Sequence, residues 1–220
     1  MSARANILAR IRANDGKHGH TTEAELAAAR AVISARMCGP LPSFARHDPL
    51  QHFIEECARL KTTLAEVDSI SAVPSEVARY LSTVLDSPPP NISVVGWPEF
   101  TALDWQSANI DYANRPAIGS DLIGLTGCFC AIGETGTLLL LGARKTPKVT
   151  ALLPETHICV VKKSRLVATM EDAFQLVRDE MGELPRATFF VSGPSRTADI
   201  EQTIVIGAHG PYRVHVVLVP

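Results

Sequence analysis

The sequence has no Cys-x-x-Cys pair, no run of basic residues and no apolar stretch of membrane length. Each absence closes off a class. The five cysteines, Cys38, Cys57, Cys128, Cys130 and Cys159, are scattered and odd in number, unlike a disulfide framework. Without Cys-x-x-Cys spacing, zinc ribbons, thioredoxin-type redox sites and bacterial iron–sulfur runs are unsupported. The expectation is a chain with no metal site and no cofactor of its own. Lys plus Arg total 21 against 23 Asp plus Glu, a formal net charge of −2, and nothing points to nucleic acid or an anionic membrane as partner. Apolar stretches such as 137–142 fall far short of the roughly 20 residues of a spanning helix. The first ten residues lack the apolar centre of a signal peptide, so a cytoplasmic protein is expected. Gly-x-Gly-x-x-Gly, a Walker A loop, His-Glu-x-x-His and Gly-x-Ser-x-Gly are also missing. The commonest dinucleotide, nucleotide, zinc-protease and hydrolase sites are therefore not indicated.

What is present fits one substantial core. Hydrophobic residues make up 46% of 220 residues and charged residues 20%, ordinary for a folded domain. The first third reads as helices. Ser2 to Ala13 puts Ile7, Leu8 and Ile11 on one stripe. Thr22 with Glu25 forms a capping box before a helix that runs to Arg36 or Met37. Asp48-Pro49 opens a third helix, with helical spacing read from Leu50 through Leu64 and Val67. A fourth starts at Pro74 with Val77, Tyr80, Leu81 and Val84 inward. The segment 87–91 is a stiff proline-rich joint. These features assign 1–90 to an N-terminal helical segment packing on the same domain and 91–220 to an α/β core.

Beyond Asn91 the period changes. Strands are expected at 91–96, 121–126, 129–132, 137–141, 157–161, 187–191 and 214–219. A helix capped by Thr169 turns Phe174, Val177 and Met181 inward. The last two strands read as buried on both faces. Helices between such strands predict a mainly parallel mixed sheet between helical layers, a three-layer α/β/α architecture.

Three stretches carry candidate chemistry. In Thr126–Thr137, glycines flank a single carboxylate: Gly133 and Gly136 permit positive φ or close backbone approach. Glu134 is then a candidate base or nucleophile, with Gly133, Thr135 and Gly136 around its ligand, or simply a solvated turn residue. In 192–201, Ser192, Gly193, Ser195, Arg196, Thr197 and Asp199 follow a strand and read as the opening of a helix, a place suited to an anion. The alternative is a plain helix cap. In Gly207–Arg213, His209 beside Gly210 could shuttle a proton or serve only as a hydrogen-bond donor. Cys128 and Cys130 read as core packing, His18 and His20 as solvated loop residues, and Trp97 and Trp105 as core or interface anchors. The working expectation is that Glu134, the 192–199 turn and His209 rim one cavity.

Taken together, Gly124-Leu125-Thr126-Gly127, 131–137 (Ala-Ile-Gly-Glu-Thr-Gly-Thr), 152–157 (Leu-Leu-Pro-Glu-Thr-His), 192–201 and His209-Gly210-Pro211 resemble the LUD-domain family, in particular its lactate-utilisation protein C branch. The resemblance runs from about Asp121 onward. It implies a fold like the ribose-phosphate isomerase and CoA-transferase superfamily. It also implies a part in oxidising L-lactate to pyruvate with iron–sulfur partner proteins, while the 192–199 stretch by itself suits a small carboxylate or phosphate as ligand. Phe129 stands where many relatives carry a polar residue. Two other functions stay open on the residues alone: an independent acyl, CoA or sugar-phosphate enzyme using Glu134, and a small-molecule sensor module.

Overall fold

The computed structural model describes residues 2–16, 21–41, 48–87, 89–198 and 204–220. The chain divides into two compact units, Met1–Leu41 and Pro42–Pro220.

The first unit holds two helices. In α1 (Ala3–Asn14) the Ser2 hydroxyl accepts from the Ala5 N–H at the cap. In α2 (Glu23–Ala35) Thr22 and Glu25 form the expected capping box, and Arg36 ends the helix at φ 46. Neither helix contains a buried residue.

In the second unit the chain enters α3 (Pro49–Arg59) through Asp48, whose carboxylate accepts from the Leu50 N–H. Phe53 and Cys57 are the fully covered side chains of this helix. The helix does not continue to Leu64 and Val67 as the spacing suggested. Lys61 takes a left-handed φ of 66 and reverses the chain, and Thr63–Glu66 becomes strand β1. The three-residue spacing of those apolar side chains imitates a helix across a turn. The next helix, α4 (Val73–Val84), buries Val77, Tyr80 and Leu81 as expected.

The central sheet is six-stranded and parallel throughout. It takes β1, β2 (Ile92–Gly96), β3 (Ile110–Asn114), β4 (Ile123–Gly127), β7 (Thr156–Lys162) and β12 (Arg213–Val219) in the order β1-β12-β7-β4-β2-β3. β7 and β12 are buried along almost their whole length, as strands covered on both faces must be. β3 was not foreseen, because it is an edge strand with exposed Asp111 and Asn114 and lacks a clean apolar pattern.

The antiparallel pairing collects in a second sheet. There β5 (Cys130–Ile132), β6 (Thr137–Leu141), β8 (Leu166–Val167) and β9 (Thr188–Val191) lie in the order β8-β5-β6-β9. Its side chains alternate as a pleat requires. Ala131, Leu138 and Leu140 join the main core, while Cys130, Ile132 and Leu139 form a smaller core with Ala173 and Val177 of α6 (Met170–Met181). Thr169 caps α6 with Asp172 in a capping box. Met181, expected inward, is 52% exposed, because Ala173 and Val177 already define the packed stripe. β9 is only partly covered and Phe190 faces outward; an edge strand of a small sheet has one free face. A short helix, α5 (Val149–Leu152), precedes β7. Trp97 and Trp105 are both core residues. Among the described residues no helix is long and apolar enough to cross a membrane.

Candidate functional site

The Gly133–Gly136 turn is packed against the flank of α3. A Cβ on Gly133 would stand 2.8 Å from the Pro49 carbonyl oxygen, and one on Gly136 would stand 2.9 Å from Glu56 Cβ. Gly136 also takes φ +59. Both reasons for glycine named from the sequence therefore operate here. Glu134 donates its backbone N–H to Ala168 O at 3.0 Å. Its Oε2 is buried without a hydrogen-bond partner. Burial pushes the Glu134 carboxyl above its ordinary range and Glu171 adds to this, while the Met170 N–H and His52 oppose it. Glu134 thus faces the start of α6. Thr135 Oγ1 lies 2.7 Å from Thr137 Oγ1, which lies 2.7 Å from Ser192 Oγ, so hydroxyls link this turn to the second stretch.

That second stretch does not open a helix within the described residues. Ser192–Ala198 is loop and a two-residue strand, β10 (Arg196–Thr197), paired antiparallel with β11 (Val205–Ile206). Asp199 lies outside the described residues. Ser195 caps no helix, because its backbone is committed elsewhere, and the segment that Thr197 would cap lies outside the described residues. Ser195 donates its N–H to Pro211 O and accepts from the Gly207 N–H, both at 2.9 Å. Gly193 (φ +80) instead turns against Leu60, where a Cβ would meet the carbonyl oxygen at 2.9 Å. Arg196 Nη2 donates to that same carbonyl at 2.6 Å.

The third stretch meets the second. The His209 N–H donates to Ser195 Oγ at 3.3 Å, and Gly210 sits over Ser195 Cβ. The loops border a cavity of about 210 Å³ whose walls include Lys61, Thr63, Tyr80, Arg196, Tyr212 and Arg213. Glu134 and His209 do not line it. The cavity opens at the amino-terminal starts of β1 and β12, not beyond the carboxyl end of a strand, because the loop carrying Arg196 leaves the small sheet at β9. The sequence reading named Arg196 but missed Lys61, Tyr80 and Arg213. Arg213 ends the Gly207–Arg213 stretch already singled out, so the signal was at hand. Lys61 had none, because a helical pattern was read straight through it.

The electrostatics of this cavity favour an anion. Lys61 has no carboxylate partner among the described residues. Arg213 is held by Glu155 (Nη1–Oε1 2.6 Å) and lies over the Tyr212 ring. Behind the wall, Tyr80 stacks on His215 with ring centroids 3.8 Å apart. Thr63 Oγ1 stands 2.8 Å from His215 Nδ1. Nε2 of the same ring lies 3.3 Å from Glu76 Oε1 but is misaligned for a hydrogen bond. Burial holds the His215 imidazole down at about 4, against the pull of Glu76, so the ring is neutral near pH 7. Cys128 and Cys130 do not gather further ligands: among the described residues no three His, Cys, Asp or Glu side chains could hold a metal ion. His18 and His20 lie outside the described residues.

Comparison with known proteins bears on this arrangement. The family model of the LUD domain matches residues 50–219. The chain is 27% identical to lactate utilization protein C of Bacillus subtilis (strain 168) over 195 residues, covering 81% of each. It is 37% identical to lactate utilization protein C of an Exiguobacterium species over 119 residues, covering 52% of this chain and 51% of that one. The crystal structure of a DUF162 family protein from Deinococcus radiodurans superposes with a TM-score of 0.57 at 22% identity, covering 82% of this chain and all of that one. That last likeness is one of fold.

Proposed function

The chain belongs to the LUD domain family, and from that membership we propose that it is a component of an L-lactate utilisation system that binds a small carboxylate in the Arg196 cavity. Relatives that carry the name lactate utilization protein C support a lactate-utilisation role at the family level. The observation that carries the ligand half is the convergence of Lys61, Arg196 and Arg213 on one cavity of about 210 Å³. That volume suits a molecule of three or four carbons. A guanidinium offers a planar fork to a carboxylate, and Lys61 adds a mobile charge. Thr63 and Tyr80 supply hydroxyls for the neighbouring oxygen of a 2-hydroxy or 2-oxo acid. Oxidation of lactate releases two electrons, and in this reading they pass to cytoplasmic iron–sulfur partner proteins.

Thermal unfolding of the full chain with L-lactate, pyruvate and phosphate at millimolar levels tests the ligand. A ligand at ten times its Kd stabilises by about 1.4 kcal/mol, and replacing Lys61 and Arg196 together by Ala should remove the shift. An unchanged midpoint with all three would sink the cavity reading. For the partners, the tagged chain recovered from lactate-grown cells should bring iron and acid-labile sulfide with it. Recovery free of both counts against a complex.

A further inference from the structure

In a parallel sheet, ligands settle beyond the carboxyl ends of the strands, where neighbouring connections leave in opposite directions. Here the chain leaves β2 toward β3 on one side and leaves β4 toward β7 on the other. The crevice between them lies at the carboxyl ends of the strands, the Arg196 cavity at their amino-terminal starts. It contains Glu99, just after β2, reaching across the end of β4. This is possible because β4 ends in Gly127: a Cβ there would stand 2.4 Å from Glu99 Oε1.

Two hollows of about 340 Å³ meet at Glu99. One runs past Trp97 to Lys145, and the other past Cys128 and Phe129 to Lys162. A further hollow of about 440 Å³ continues beyond Lys145 to Arg144 and Arg115. The Trp97 indole donates to Pro147 O at 3.3 Å and ties this rim to the Arg144–Lys145 loop. Two of the cations are already engaged, Arg115 with Asp121 and Arg165 with Glu180. Arg144, Lys145 and Lys162 form no salt bridge among the described residues, although Lys162 lies close enough to act on the Glu99 carboxyl.

We propose that this crevice binds a two-ended anion, a small molecule with a carboxylate or phosphate at each end, gripped by Arg144 and Lys145 on one side of Glu99 and by Lys162 on the other. The carboxylate of Glu99 repels an anionic group from the middle, so the charged ends fall to either side of it. A hydroxyl or carbonyl of the bound molecule then faces Glu99. Burial pushes the Glu99 carboxyl upward while Lys162 opposes it, which suits a group that shares a proton with its ligand. The proposal is independent of the Arg196 cavity and stands or falls separately.

Calorimetric titration of the full chain tests it. Pyrophosphate and 2-oxoglutarate serve as two-ended probes, with inorganic phosphate and acetate as one-ended counterparts. At least one two-ended probe should bind about tenfold more tightly than its counterpart, and which one does so distinguishes phosphate from carboxylate ends. In a chain carrying Lys61→Ala and Arg196→Ala, so that the first cavity adds no heat, Lys145→Ala and Lys162→Ala should each weaken that binding about tenfold. Glu99→Gln should retain binding and flatten its pH dependence. No heat from either two-ended probe, or affinities indifferent to both lysine substitutions, overturns the assignment.

Discussion

Two histidines sit in adjacent strands of the central sheet, His157 at 0% and His215 at 1% exposure. His157 Nε2 is 2.8 Å from Thr126 Oγ1, and its Nδ1 has no partner. Burial lowers both imidazoles from 6.5 to about 4. The unfolded chain therefore takes up protons first as the pH falls. The stability these rings contribute is complete above pH 6.5 and is lost between about 6.5 and 4, on the order of 3 kcal/mol each at most. Urea midpoints measured from pH 7.5 down to 5 should fall steadily. A flat or rising profile would mean that the rings are hydrated in solution.

At the scale of elements, the Gly133–Gly136 turn that joins β5 to β6 packs against α3. Replacing Gly136 by Ala adds a Cβ at a positive φ and 2.9 Å from Glu56 Cβ, which should cost about 1–3 kcal/mol. Chemical denaturation reads this directly, and a loss below a few tenths would show that α3 can give way. This turn was legible because its glycines and its flanking apolar runs point to one structure. The hairpin, the α6 cap and the buried strands β7 and β12 were legible for the same reason. The Arg196 loop was not: its serines and threonines read as a helix start, while the partners of its backbone, Pro211 and Gly207, lie far along the chain. β1 was hidden by a false helical spacing and β3 by its edge position. Glu99 drew no attention, because only the strand order shows that it stands at the switch between β2 and β4. Of the candidate residues, Ser195, His209 and Gly210 are brought together beside Arg196, while Glu134 faces the start of α6.

For the molecule as a whole, every buried hydrophobic side chain among the described residues lies between Phe53 and Val219. A chain starting at Pro42 should therefore unfold in one cooperative transition with its far-ultraviolet spectrum of mixed α/β type intact. Loss of cooperativity on removing 1–41 would assign the first unit a part in the stability of the second.

The strand order also governs how the protein must be made. Among the described residues β1 pairs in the central sheet with β12 alone, and Thr63 waits for His215, 152 positions later. At roughly 5–20 residues per second of translation, the first strand leaves the ribosome on the order of ten seconds before the neighbour that covers its edge. During that interval the nascent chain has an open β-edge, and trigger-type chaperones that shield such edges should matter more for its yield than for proteins whose strands pair in the order they appear.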